Sequence, residues 1–198
     1  EDDSNPMSDV FSFNDGENWE PFQQNLPVTP VTDMKVYRGD LIISTMGRGF
    51  WILDNVSSLN ETNNITNDNH LFKPRDAFRY RYRASKGNSV PNYPGPSVIV
   101  DYYIKDSLDQ EISLNIKNQK DEIIYFVSSA KKDTAGDQLD MSTGFIVQIS
   151  GDSLTKNVGS NRYRWNMRHT GAWDKDTKKA YLNGPVVKPG EYSACLLY

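Results

Sequence analysis

The sequence predicts an all-β protein: one antiparallel, propeller-blade-like sheet followed by an immunoglobulin-like β-sandwich. Three observations carry this. Short apolar or alternating runs recur between turn residues along most of the 198-residue chain, the pattern of strands and hairpins. Aromatic residues make up 12% of the chain and suit strands better than helices. No long segment keeps a helical period.

The elements follow in order. "DVFSF" (9–13) alternates, "DGEN" (15–18) can make a tight turn, and "WEPF" (19–22) continues the strand pattern. "QQNLPVTPVTD" (23–33), with two prolines, reads as a connection. "MKVYRGDLIISTM" (34–46) reads as two strands around "RGD", with Gly39 and Asp40 in the turn. "GRG" (47–49) turns again, and "FWILD" (50–54) is a buried strand. Together these make one sheet of four or five strands over residues 1–54. Ile42, Ile43, Phe50, Trp51, Ile52 and Leu53 run without clean alternation, so both faces carry apolar residues. Such strands are normally covered on both sides, as in a propeller, where each blade packs on its neighbours.

Residues 55–70, "NVSSLNETNNITNDNH", have little to bury and read as a linker. Their N-x-S/T triplets at Asn55, Asn60 and Asn64 are expected by chance in an Asn-rich stretch. Residues 71–198 then supply the sandwich. "AFRYRYRA" (77–84) alternates strictly, with Phe78, Tyr80 and Tyr82 opposite Arg79, Arg81 and Arg83. "SVIVDYYI" (97–104), "EISLNIK" (111–117), "EIIYFVSS" (122–129), "GFIVQIS" (144–150), "NRYRWNMR" (161–168) and "GEYSACLLY" (190–198) complete a set of short strands. That spacing matches an immunoglobulin-like sandwich. "KKDTAGDQLDMST" (131–143) reads as a polar loop.

Composition excludes some functions. The net charge of -4 offers no basic field for nucleic acid. No apolar run approaches the roughly 20 residues of a membrane span, and "EDDSNPMSDV" is acidic and polar, unlike a signal peptide. The chain fits a cytosolic protein, a processed secreted one or a fragment. Cys195 is the single cysteine, so it makes no internal disulfide; it reads as a small buried hydrophobe.

"SFNDGENW" (12–19) resembles the Asp-box pattern Ser-x-Asp-x-Gly-x-Thr-Trp, through Ser12, Gly16 and Trp19. Asn14 stands where Asp is usual and Asn18 where Thr is usual. Asp boxes recur in sialidases, sortilin-type receptors and bacterial BNR-repeat proteins. "NLPVTPVTDMKVYRGDLIISTMGRGFWILDN" (25–55) is similar to the final blade of the large BNR-repeat proteins labelled glycosyl hydrolase. "HLFKPRDAFRYR" (70–81), "NRYRWNMRHTGA" (161–172) and "GPVVKPGEYSACL" (184–196) resemble the domain that follows it, itself similar to the Ig-like domain of flagellar hook-capping proteins. Relatives carry His where this chain has Met46 in "TMGR"; the position reads as packing or a rim contact. The resemblance implies an Asp box on the outer rim of a blade, with Trp19 packed beneath it. It implies an exported protein, extracellular or periplasmic, whose catalytic channel lies in further blades of a longer parent chain. In that family "KPGEY" (188–192) would open the last strand.

The residues themselves offer four chemical readings. Asp15, Glu17 and Glu20 are close in sequence, but two glycosidase carboxyls must converge across one cleft, and hairpin-turn side chains point outward. "NDGEN" lacks the order and the distal Glu of a calcium loop, and His70 and His169 have no ligand-spaced partners for zinc. No metal or cofactor is expected. Arg79 and Arg81, with Arg83, Arg75 and Lys86, form either an anion or acidic-polysaccharide site or a solvated strand face. Trp165 falls on the core face of its strand, while Trp173 and Tyr93 fall in loops, where they are the better candidates for ligand contact.

The expectation is a non-catalytic accessory region of an exported propeller protein associated with carbohydrate processing. The parent's own hydrolase activity stays open. A carbohydrate-binding module and a sortilin-like protein-interaction module are the alternatives. The first would use Trp173 or Tyr93; the second would add a partner strand at a sheet edge.

Overall fold

The computed structural model describes residues 10–12, 14–22, 25–62, 68–82, 95–130, 153–171, 173–174, 179–180 and 184–198. The expected strand at 144–150 and loop at 131–143 lie outside them. Among the described residues the fold is all-β save for one six-residue helix. The chain divides into two compact units, Glu1–Thr66 and Asn67–Tyr198.

In the first unit, β1 (Val10–Phe11) pairs antiparallel with β2 (Glu20–Pro21). A separate three-stranded antiparallel sheet is formed by β3 (Val31–Tyr37), β4 (Asp40–Thr45) and β5 (Gly49–Leu53). The expected single sheet of four or five strands is therefore two sheets among the described residues. The β3–β4 turn is Arg38–Gly39, with φ of 51° and 79°. Two positive φ values in a two-residue loop mark a type I′ hairpin, whose twist matches its strands. Asp40, expected in the turn, instead opens β4 opposite Tyr37.

The expected linker is structured at its start. The Asn55 amide donates to Asp40 Oδ1 at 2.9 Å and the Val56 amide to the Gly39 carbonyl at 2.8 Å. Asn55 Oδ1 accepts from Ser57 Oγ at 2.6 Å, and Ser57 opens α1 (Ser57–Thr62). The chain leaving the sheet is thus clamped to the β3–β4 hairpin turn at the same end of the sheet.

The second unit holds two three-stranded antiparallel sheets. One runs β10 (Gly159–Trp165), β7 (Val98–Ile104), β6 (His70–Leu71); the other runs β13 (Ser193–Leu197), β8 (Ser113–Lys117), β9 (Ile123–Ser128). Alternation sets which side chains go inside. Val100, Tyr102 and Ile104 of β7 join Tyr163 and Trp165 of β10 in one cluster with Leu114, Ile116, Ile124 and Val127 of β8 and β9. Both sheets therefore contribute to a single core. Trp165, only 2% exposed, lies in it as the alternation of its strand predicts, and its Nε1 donates to the Arg168 carbonyl at 2.9 Å.

On the opposite face of the β7–β10 pair, Arg162 grips Asp101 through two hydrogen bonds, Nε to Oδ1 at 2.7 Å and Nη2 to Oδ2 at 2.9 Å. Asp101 is buried, and a buried carboxylate requires such a partner. After β10 the chain bends at Met167, with φ of 57°. The next residues reach the other sheet: the Thr170 amide donates to the Ile124 carbonyl, and Thr170 Oγ1 accepts from the Phe126 amide. Segment 167–169 also pairs with 185–187. In the β8–β9 hairpin, Asn118 Oδ1 accepts from the amides of Lys120 and Glu122, so "NQKD" turns as its residue types predict.

Three expectations are corrected here. "AFRYRYRA" is no strand over its described part, 77–82, despite its alternation. Phe78 is 81% and Tyr80 52% exposed, and Arg79 and Arg81 are exposed too, so the segment has no inner face. The strand at this end of the unit is instead β6, and His70 belongs to it rather than to the linker. Cys195 is half-buried rather than buried. Its neighbours Ala194 and Leu196 pack on the core, which leaves Cys195 on the other face of β13.

Candidate functional site

Two features of the first unit stand out. One is the "SFNDGENW" turn. Asp15 and Gly16 have φ of 55° and 93°, and the Glu17 amide closes the turn on the Asn14 carbonyl at 3.2 Å. The side chains before the turn satisfy its amides. Ser12 Oγ accepts from the Gly16 amide at 2.7 Å, and Asn14 Oδ1 accepts from the Asn18 amide at 2.9 Å. Ser12 Oγ itself donates to Asn14 Oδ1 at 3.0 Å. These are Asx- and Ser-type turn bonds. They explain why Asn suffices where the pattern has Asp: only a carbonyl-like oxygen is used. They explain Asn18 as well, since the bond recorded there uses its backbone.

Trp19 lies beside Gly16, near enough that a Cβ on the glycine would stand 3.5 Å from the ring. The indole is nonetheless 61% exposed. The expected packing beneath the turn is thus contact with the turn and little burial. Asp15 and Glu17 are exposed on the same turn, with none of the enclosure that a catalytic carboxyl pair needs.

The second feature is the β3–β4–β5 sheet. Its register puts Met34, Ile43 and Trp51 in one row and Val36, Leu41 and Leu53 in another on the same face. All six are apolar. The other face is mixed: Lys35, Ile42 and Ile52 in one row, Asp33, Ser44 and Phe50 in the next. Met34, Val36, Phe50 and Ile52 are 66%, 62%, 80% and 61% exposed. Over residues 25–59, Asn55 is the single buried one, and it is polar. The unit holds apolar strands without a core of its own among those residues. Sequence reasoning named β4 and β5 apolar on both sides but passed over Met34 and Val36; the i, i+2 spacing on "MKV" held the signal.

Met46 fills no packing role through its side chain, which is 66% exposed. Its backbone does the linking: its amide donates to the Pro30 carbonyl at 3.0 Å, and its carbonyl accepts from Thr29 Oγ1 at 3.1 Å. Those bonds use only the Met46 backbone and are open to any residue at this position.

The candidate ligand residues that are described, Trp173, Arg79 and Arg81, lie on two separate segments. Trp173 opens β11 (Trp173–Asp174), which pairs with β12 (Lys179–Ala180), so it sits in a short hairpin strand rather than a loop. Tyr93 lies outside the described residues. Arg79 donates through Nη1 to the Val187 carbonyl at 3.3 Å, a backbone anchor, while Arg81 is exposed on the same non-strand segment. Among the described residues no group of three His, Cys, Asp or Glu side chains could hold a metal ion. No helix there is long and apolar enough to cross a membrane.

No protein-family model matches the chain, and no curated protein or solved structure matches it.

Proposed function

We propose that this chain is a non-catalytic scaffold region of an exported propeller protein linked to carbohydrate processing. In this reading the β3–β4–β5 sheet is a terminal blade, and the second unit is an immunoglobulin-like accessory sandwich. The observation that carries the proposal is the sheet whose face of Met34, Val36, Leu41, Ile43, Trp51 and Leu53 has no fully buried member. Covering an apolar side chain of this size is worth about 2 kcal/mol, and exposed patches of this kind mark interaction surfaces. A like sheet stacked on this one would supply the cover. The exposed Asp15 and Glu17, on a turn closed by its own side chains, support a structural role for that turn.

The sandwich reading of the second unit draws on two further features. Both sheets feed one core, and Tyr192 Oη donates to the Lys188 carbonyl at 2.7 Å just before β13. A tyrosine closing back on the backbone a few residues upstream is a device of immunoglobulin-like sandwiches. Its ring also meets Trp165 edge-on at 5.8 Å.

The test is association and dye binding. The purified chain should bind a hydrophobic dye strongly and self-associate as its concentration rises. Met34→Glu combined with Val36→Lys should suppress both while leaving the Trp165 fluorescence environment unchanged. A wild-type chain that stays monomeric and dark would sink the scaffold reading. Saturable glycan binding abolished by Trp173→Ala would replace it with the binding-module reading.

A further inference from the structure

We draw no further inference here: the strongest candidate, the apolar face of the β3–β4–β5 sheet around Met34, Val36 and Trp51, belongs to the surface already described, and nothing in the structure shows what covers it.

Discussion

Tyr102 joins the inside of the second unit to its rim. Its ring is fully buried, yet its hydroxyl donates to the Thr155 carbonyl at 2.5 Å and lies 3.3 Å from Thr155 Oγ1. Burial pushes the phenol above its usual value near 10, and the two contacts with Thr155 offset part of that rise. The sign follows from linkage. The folded state holds the Tyr102 proton more tightly than the unfolded chain does. Its contribution is therefore complete below about pH 10 and is lost as pH rises through the raised folded value. Tyr102→Phe should cost about 1 kcal/mol at neutral pH, the worth of one hydrogen bond, and should also flatten the alkaline fall in stability. Urea midpoints measured from neutral pH upward read both effects. An alkaline limb as steep in the variant as in the wild type would rule out Tyr102 as its source. Asp101 and Arg162 make the same point about buried polar groups. The sequence showed an Asp inside "SVIVDYYI" and an Arg beside a core tyrosine. That they face each other follows only from the register Asp101↔Arg162, which no single strand reveals.

Turns govern the elements, and two of them yield predictions. Ser12 Oγ holds the Gly16 amide and orients Asn14 Oδ1, so Ser12→Ala removes an acceptor from a turn whose central residues both have positive φ. The expected cost is about 1 kcal/mol, read as faster amide exchange at Gly16 and Asn18, with exchange in the second unit unchanged. Unchanged exchange at Gly16 would mean that the hydroxyl does not hold the turn. Gly184 is a steric case. A Cβ there would run into the His169 carbonyl oxygen and stand 2.8 Å from the Thr170 oxygen. Both are backbone atoms in the segment that ties β10 to β9, so neither can swing aside. Gly184→Ala should cost roughly 2–3 kcal/mol by overpacking, seen as a lower urea midpoint, whereas Gly47→Ala, with open space around it, should cost only the strain of its φ. This scale also divides what the sequence made legible from what it hid. Strands β7, β8, β9, β10 and β13 were readable as short apolar or alternating runs between turn residues, and Trp165 followed from the alternation of β10. "AFRYRYRA" alternates as cleanly and is no strand over its described part, because alternation is necessary for a half-buried strand and does not supply the partner strand. The "SFNDGENW" turn was readable because side-chain-to-backbone bonds are local. The split of the first unit into two sheets was not, because pairing is decided between segments. The start of the linker at 55–70 is structured for a similar reason: Asn55 is polar by type, and its amide is held by Asp40, fifteen residues away.

At the scale of the whole molecule, stability is divided unevenly between the two units. The clustered core residues, from Val100 to Val187, all lie in the second unit. None of the apolar side chains of the β3–β4–β5 sheet is fully buried, and Met34, Val36, Tyr37, Phe50 and Ile52 are more than half exposed. A folded chain must offset roughly 1–2 kcal/mol of backbone entropy per ordered residue, and small sheets do so by burying a face against another layer. The second unit meets that condition with its own two three-stranded sheets. The first holds a clamped hairpin, a bonded turn and strands whose register is fixed, but no buried apolar residue over 25–59. Residues 67–198 expressed alone should therefore unfold in one cooperative transition, with a urea midpoint close to that of the full chain. Residues 1–66 alone should show no cooperative transition, only gradual loss of strand signal and strong binding of a hydrophobic dye. Circular dichroism on the two fragments separates the cases. A sharp transition in 1–66 would mean that this unit buries a core without help, and the blade reading would lose the observation it rests on. A failure of 67–198 to fold would instead place the weakness in the second unit, whose two sheets would then need the first to close their core.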